Sequence, residues 1–325
     1  MDIHDHADEF GGLPVAHLPA PTRRKATRAE NAAARADARR EPPEPDQVAW
    51  ALRTVVWGRE AEEFPHLFGR FLDTVDTTRV TAVVIGQWGD SGTTADVPIG
   101  LLCDAADRFP SLRHLYVGDI TPEECEISWI QQGDVTPLLA AFPALETLVV
   151  QGSHARLDPV GHTALRHLEF VGSGLSGRVL QSLAASQFPE LHTLDVWFGP
   201  EDYGCTATVE DAEALLRSNR GLPSLSRLGL RNCEFADELA ALLAGAPIVA
   251  RLRELDLSLG TFGDEGAEAL LSGQPLGHLS ALNLEHNFIS EAVAERLRTD
   301  LAGVEVITKD RNVGGQWGRY VAVSE

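Results

Sequence analysis

Apolar residues return along this chain in one short spacing: an aliphatic or aromatic residue, then two more three and five positions later. It occurs ten times, at Leu52/Val55/Trp57, Val80/Val83/Ile85, Leu112/Leu115/Val117, Leu145/Leu148/Val150, Leu165/Leu168/Phe170, Leu191/Leu194/Val196, Leu225/Leu228/Leu230, Leu252/Leu255/Leu257, Leu279/Leu282/Leu284 and Leu301/Val304/Val306. Successive first residues lie 28, 32, 33, 20, 26, 34, 27, 27 and 22 apart, an average close to 28. Each triad predicts a short strand, and a turn and an amphipathic stretch follow it. Helices are expected over about 98–109, 134–142, 175–187, 208–218, 236–244, 264–272 and 290–299. Thr208 with Asp211 has the spacing of a capping box.

Self-similarity at such a period marks a solenoid, and the L-x-x-L-x-L triad is the strand of a leucine-rich repeat. Parallel strands need crossover connections, and the helical stretches supply them. The predicted fold is therefore an α/β horseshoe: one parallel sheet on the concave face and helices on the convex face. Triad residues point into the solenoid, and the residues between them point out of the concave sheet, because strand side chains alternate faces.

The array covers residues 48–307. It opens with a strand-helix cap: Val48, Trp50 and Leu52 alternate, then Phe64, Leu67, Phe68, Phe71, Leu72 and Val75 share one helical stripe, with Pro65 in its first turn. Residues 1–47 predict one short strand in Glu9–Val15, then a loop. Its Ala-, Arg- and Pro-rich part, 23–46, is read as mobile, or as a solvated helix over 26–40. Residues 308–325 form a capping tail expected to add an edge strand or cover the last repeat.

Net charge is −21. Residues 23–40 hold seven Lys or Arg against Glu30 and Asp37, a local +5, which leaves about −26 elsewhere. So negative a surface disfavours nucleic acid and anionic membranes, and suits a basic protein or peptide. Cys103, Cys125, Cys205 and Cys233 lie 22, 80 and 28 residues apart and suggest neither a disulfide framework nor a zinc site. The terminus carries no secretory pattern and no run reaches a membrane span, so a soluble cytoplasmic protein is expected.

Leu225 to Cys233 and Leu279 to Asn287 match the longer pattern L-x-x-L-x-L-x-x-N/C. With the helical second halves, they resemble the ribonuclease-inhibitor-like leucine-rich repeats, usually intracellular. That resemblance implies an Asn or Cys side chain bonding backbone groups in each turn. The ninth position is Trp88, Ile120, Ser153, Ser173, Gly199 or Gly260 in other repeats, so the ladder is expected to be broken. Glu9-Phe-Gly-Gly-Leu-Pro-Val15 and Arg319-Tyr-Val-Ala-Val-Ser-Glu325 look like an uncharacterised family of bacterial leucine-rich-repeat proteins. The resemblance implies a role accessory to modifying enzymes, and no catalytic residue transfers from it.

Outward positions then nominate a surface. His114, Tyr116, His167, Glu169, Asp195, Trp197, Arg227, Arg231, Glu254, Asp256 and Glu285 supply aromatic and cationic anchors within an acidic field. Tyr116, Trp197 and Arg231 would span about 20 Å of sheet, a length suited to an extended peptide or protein surface. Val56, Val84 and Val149 also face outward, and cover by the amino-terminal segment explains them better than a hydrophobic ligand. No cofactor or metal is expected: His114 and His167 stand two strands apart, about 10 Å. Gly89-Asp-Ser-Gly92 copies a protease nucleophile segment, yet reads as a turn. The functional expectation is a non-enzymatic interaction module or scaffold that binds a basic protein or peptide. A hydrolase-type enzyme using concave carboxylates, and a regulator of a nucleotide-dependent enzyme, are the alternatives.

Overall fold

The computed structural model describes residues 3–18, 43–56, 61–217, 221–316 and 318–325. Twelve strands form one sheet in chain order: β1 (Glu9–Phe10), β2 (Leu13–His17), β3 (Ala49–Leu52), β4 (Ala82–Ile85), β5 (His114–Val117), β6 (Thr147–Gln151), β7 (His167–Val171), β8 (Thr193–Gly199), β9 (Arg227–Cys233), β10 (Glu254–Asp256), β11 (Ala281–Asn283) and β12 (Glu305–Ile307). Every pairing from β2 onward is parallel. Eight α-helices among the described residues supply crossovers: α1 (Phe64–Thr74), α2 (Asp96–Asp104), α3 (Thr136–Ala141), α4 (Gly177–Ala185), α5 (Val209–Arg217), α6 (Ala236–Leu243), α7 (Asp264–Ser272) and α8 (Glu291–Asp300); the connection from β6 to β7 has no helix. This is an α/β leucine-rich-repeat horseshoe. Each strand presents its triad to the helix layer, where a one-sided sheet and one-sided helices bury their apolar faces together.

The core follows the triads. Leu115, Leu148, Leu168, Leu194, Leu228 and Leu282 align across the sheet and are wholly buried. Thr208 and Asp211 exchange backbone-to-side-chain bonds at the start of α5, 3.1 and 3.4 Å long, as a capping box requires. Asn287 closes the turn after β11, donating to Leu284 O and accepting from Ile289 N at 3.1 Å. Gly89–Gly92 is a turn: Asp90 Oδ1 accepts from Gly92 N at 3.2 Å and from Thr93 Oγ1 at 2.8 Å.

Both terminal triads are misplaced in the sequence reading. Trp50 pairs with Val83 and Leu52 with Ile85, so the inward residues of β3 are Trp50 and Leu52. Val55 is 48% exposed instead. The edge repeat tolerates the polar Gln47 where the triad wants an apolar residue, and the spacing therefore matched five residues too late. At the other end Glu305 pairs with Ala281, which sends Val306 and Thr308 inward in place of Val304 and Val306.

The amino terminus also departs from expectation. Glu9–Val15 holds two strands, joined by Gly11 and Gly12 at φ +61° and +74°. Two consecutive positive φ values make the tight reversal that suits the twist of a hairpin. Residues 19–42 lie outside the described residues, and with them most of the segment read as a loop or helix. Beyond them, Glu44 and Asp46 both bind Arg79, at 2.7 and 2.8 Å.

Among its described residues, the carboxy-terminal tail adds no edge strand. It turns back along the rim where the strands end. Tyr320 packs edge-on against His286 and Phe288, with centroids 5.3 and 5.4 Å away. Ala322 N donates to Leu259 O at 2.8 Å, and Asn232 bonds both backbone groups of Val323, at 2.6 and 3.0 Å. Tyr203 meets Glu325 at 2.6 Å.

Candidate functional site: a cleft on the concave face

Residues 3–12 lie across the concave side of the first repeats as a strap. Ala7 N donates to Asp119 Oδ1 at 3.2 Å, and His6 stands between Asp119 (3.6 Å) and Glu124 (3.3 Å). The Phe10 ring lies 5.7 Å from Tyr116 and 6.3 Å from His114. Gly11 sits so close that a Cβ there would fall 2.7 Å from the His114 ring. Under this cover Val84 is inaccessible and Tyr116 is 2% exposed. Behind the strap, Arg53 pairs with Asp119 and also meets His17 Nε2 at 3.0 Å. Burial, and then the Arg53 charge, hold His17 below the usual histidine range.

The strap stops at Phe10, and the sheet beyond it is open. There Phe10, Thr147, Val149, His167, Glu169, Thr193, Asp195, Arg227 and Arg231 line a cleft of about 400 Å³. Its floor is the row of fifth positions: Val149 beside Glu169, Glu169 beside Asp195, Asp195 beside Gly229. Neighbouring strands run about 4.8 Å apart, so Glu169 and Asp195 are two carboxylates side by side. Both are nine-tenths buried or more, at 5% and 4% exposure.

Three further features fix these acids. His167 Nε2 lies 3.2 Å from Glu169 Oε2. Gly229 leaves room for the Asp195 carboxylate, since a Cβ at 229 would stand 2.5 Å from Oδ1. Across that gap Arg231 reaches both flanking acids, at 3.6 Å from Asp195 Oδ2 and 3.6 Å from Asp256 Oδ1. Its Nε donates to Ser258 Oγ at 2.9 Å, and its guanidinium lies 4.4 Å over the Trp197 ring. Asp256 also accepts from Asn283 at 2.9 Å. Arg227 is engaged by Glu254 at 3.0 Å on the outer edge.

Two buried polar atoms in this network lack a hydrogen-bond partner, Trp197 Nε1 and Asp195 Oδ1. Burial, then the adjacent Glu169, raise the Asp195 carboxyl from the ordinary range to about 7, against the pull of Arg231.

Of the residues nominated from sequence, His167, Glu169, Asp195, Arg227 and Arg231 meet in the cleft. Glu254 and Asp256 stand behind its cationic wall. His114 and Tyr116 lie under the strap: His114 Nδ1 is 3.0 Å from Thr147 Oγ1, and the Tyr116 hydroxyl donates to Gln151 Oε1. Burial lowers the His114 pKa and raises the Tyr116 one. Trp197 is 3% exposed beneath Arg231, and Glu285 lines no part of the cleft. The exposed platform of about 20 Å expected from Tyr116, Trp197 and Arg231 is therefore absent, because two of its three side chains are covered. Phe10, Thr147, Val149 and Thr193 were not nominated. For Phe10 a signal existed: an apolar residue before Gly11-Gly12, on a chain with uncovered outward valines.

Among the described residues, no group of three or more His, Cys, Asp or Glu side chains is placed to hold a metal ion. No helix among them is long and apolar enough to cross a membrane. The four cysteines are free, and burial pushes Cys103 and Cys205 up to about 11.

No family model matches this chain, and no curated protein matches it. A solved structure does. A structural-genomics target protein from Bacteroides fragilis is 27% identical, with a TM-score of 0.73 over 79% of this chain and 72% of its own. At that score the two share an overall fold. An internalin of Listeria monocytogenes is 14% identical over 80% of this chain and 85% of its own, with a TM-score of 0.24. TLR13, solved in a complex with ssRNA13, is 11% identical over 82% of this chain and 50% of its own, with a TM-score of 0.27. At such scores neither bears on the fold or the function.

Proposed function

We propose that this protein is a non-enzymatic interaction module that binds a protein or peptide carrying basic residues at its concave face. The observation that carries this reading is the cleft: a concave recess of about 400 Å³ floored by two adjacent buried carboxylates. The strap narrows the site to the middle repeats. The residues proposed to meet the partner are His167, Glu169, Asp195, Arg227 and Arg231, with Glu254 and Asp256 setting the field. Tyr116 and Trp197 act from below, by shaping the floor and by holding Arg231. The helical half-repeats and the Asn287 turn favour the ribonuclease-inhibitor-like type, and the free cysteines fit a reducing cytoplasm. A role accessory to a modifying enzyme rests on the sequence resemblance alone.

Selection from a displayed random-peptide library tests the reading. Peptides enriched in Lys or Arg are expected, and their association should slow as salt rises from 50 to 300 mM. The double variant Glu169→Gln with Asp195→Asn should flatten that salt dependence. Equal association by the double variant would move the interface to the convex helices.

A second reading has one observation behind it. A carboxyl raised to about 7 beside a second carboxyl is the arrangement of an acid-base pair, which supports a hydrolase that uses Asp195 and Glu169. Hydrolytic turnover by the purified protein that Asp195→Asn abolishes would favour it.

A further inference from the structure

The cleft lacks charge balance. Four carboxylates, Glu169, Asp195, Glu254 and Asp256, meet two guanidinium groups, Arg227 and Arg231. Arg227 is taken by Glu254, and Arg231 is shared between Asp195 and Asp256. His167 faces the pair from β7, the buried Tyr116 lies within electrostatic reach of Glu169 from β5, and the strap contributes only the Phe10 ring to this wall. A buried charge needs a partner, and Asp195 Oδ1 has none.

We propose that the cleft receives a primary ammonium on an alkyl stem, the chemistry of a lysine side chain, with the nitrogen between Glu169 and Asp195 and the stem against Phe10 and Val149. This deepens the reading above and rests on it. The shape of the acids selects ammonium over guanidinium. Asp195 turns Oδ2 to Arg231 and holds Oδ1 buried beside Gly229, and Glu169 turns Oε2 to His167, so each acid has one oxygen left, and Asp195 must turn its own toward the ammonium. Single oxygens from separate residues suit a compact ammonium with three donors, whereas a planar fork wants both oxygens of one carboxylate. Thr147 and Thr193 flank the cleft with hydroxyl acceptors. Without the ligand, a proton at Asp195 supplies part of the missing positive charge, so the ammonium should displace it on binding.

Nuclear magnetic resonance titration with Nα-acetyl-lysine methylamide, following Val149 and Thr193 methyl signals, tests this directly. Saturable shifts are expected, with the Nε-acetylated amide and the arginine amide each binding at least about 10-fold more weakly. Affinity should fall roughly 10-fold per pH unit as the solution is acidified below about pH 7, where the Asp195 proton competes. Asp195→Asn should remove that pH dependence and weaken binding at least about 10-fold, with an unchanged thermal midpoint at pH 5. Glu169→Gln, which keeps Asp195, is the second variant and should weaken binding as well. n-Butylamine separates the sources: binding equal to the lysine amide points to a free alkylamine, and weaker binding points to a lysine within a chain, and either result supports the site. Equal binding of the acetylated or arginine amide, no saturable shift, or full affinity in both variants overturns the proposal. If the displayed library still yields basic peptides in any of those cases, the interaction module stands and only its ammonium chemistry falls.

Discussion

Arg227 and Leu228 are adjacent in the chain and differ in everything that decides stability. The Leu228 side chain is fully buried, while that of Arg227 is 46% exposed and paired with an acid exposed to 43%. Leu228→Ala is therefore expected to cost about 2–5 kcal/mol, through lost burial and a residual cavity. Arg227→Ala should cost under about 0.5 kcal/mol, as exposed ion pairs do. Urea midpoints for the two variants check this, and equal losses would undo the assignment of inward and outward positions. Asp195 makes a pH-dependent claim. Its folded pKa, about 7, lies above the unfolded carboxyl value, so the native state holds the extra proton between about pH 4 and 7. Its contribution is largest below that window and is lost as pH rises through it. Relative to the parent, Asp195→Asn should thus gain up to about 3 kcal/mol between pH 5 and pH 8, read from urea denaturation at each pH. A constant difference would show that Asp195 titrates normally. Alternation told which side Trp197 faces but not how deep it lies. That depends on Arg231 stacking over it, from the next strand and 34 residues on, a contact no local pattern reports.

Among the elements, those with neighbours on both sides were legible. The middle triads fall on strands because each must pack against two repeats, which leaves one apolar pattern that fits. The strands of the first and last repeats, β3 and β12, have a repeat on one side only, accept Gln47 and Thr308 in triad positions, and so blur the spacing that locates them. The strap was legible as a need, from outward valines, and illegible as a geometry, because its hold on the sheet comes from Phe10 and from the Gly11 contact with His114. Phe10→Ala should loosen that hold locally. Hydrogen exchange at Val15, whose N–H bonds Asp8 O at 2.8 Å, should quicken at least about 10-fold, while amides of β9–β11 keep their protection. Uniform acceleration along the chain would mean that the strap supports the whole array and not its first repeats.

In the whole molecule, contacts pass mainly between successive repeats, as in any solenoid. The tail breaks that rule. It joins Asn232 to Val323 across 91 positions and Tyr203 to Glu325 across 122. Asn232→Ala, which leaves both backbone groups of Val323 without their partner, should cost about 1–3 kcal/mol and expose residues 319–325 to carboxypeptidase. Unchanged resistance to digestion would show that the Tyr320 ring alone secures the tail. There is a mechanical corollary. A stack of repeats behaves as a spring whose turns can fan apart, and a cord fastened along one rim limits how far they open on that side. From the turn after β8 to the last repeat the rim is fastened by the chain's own final residues, while the turns before β8 are spared that tether. The cleft, lined from β6 to β9, lies between the strap on the first repeats and the tail on the last, so a ligand that spreads the turns would do so about a hinge at its own binding site.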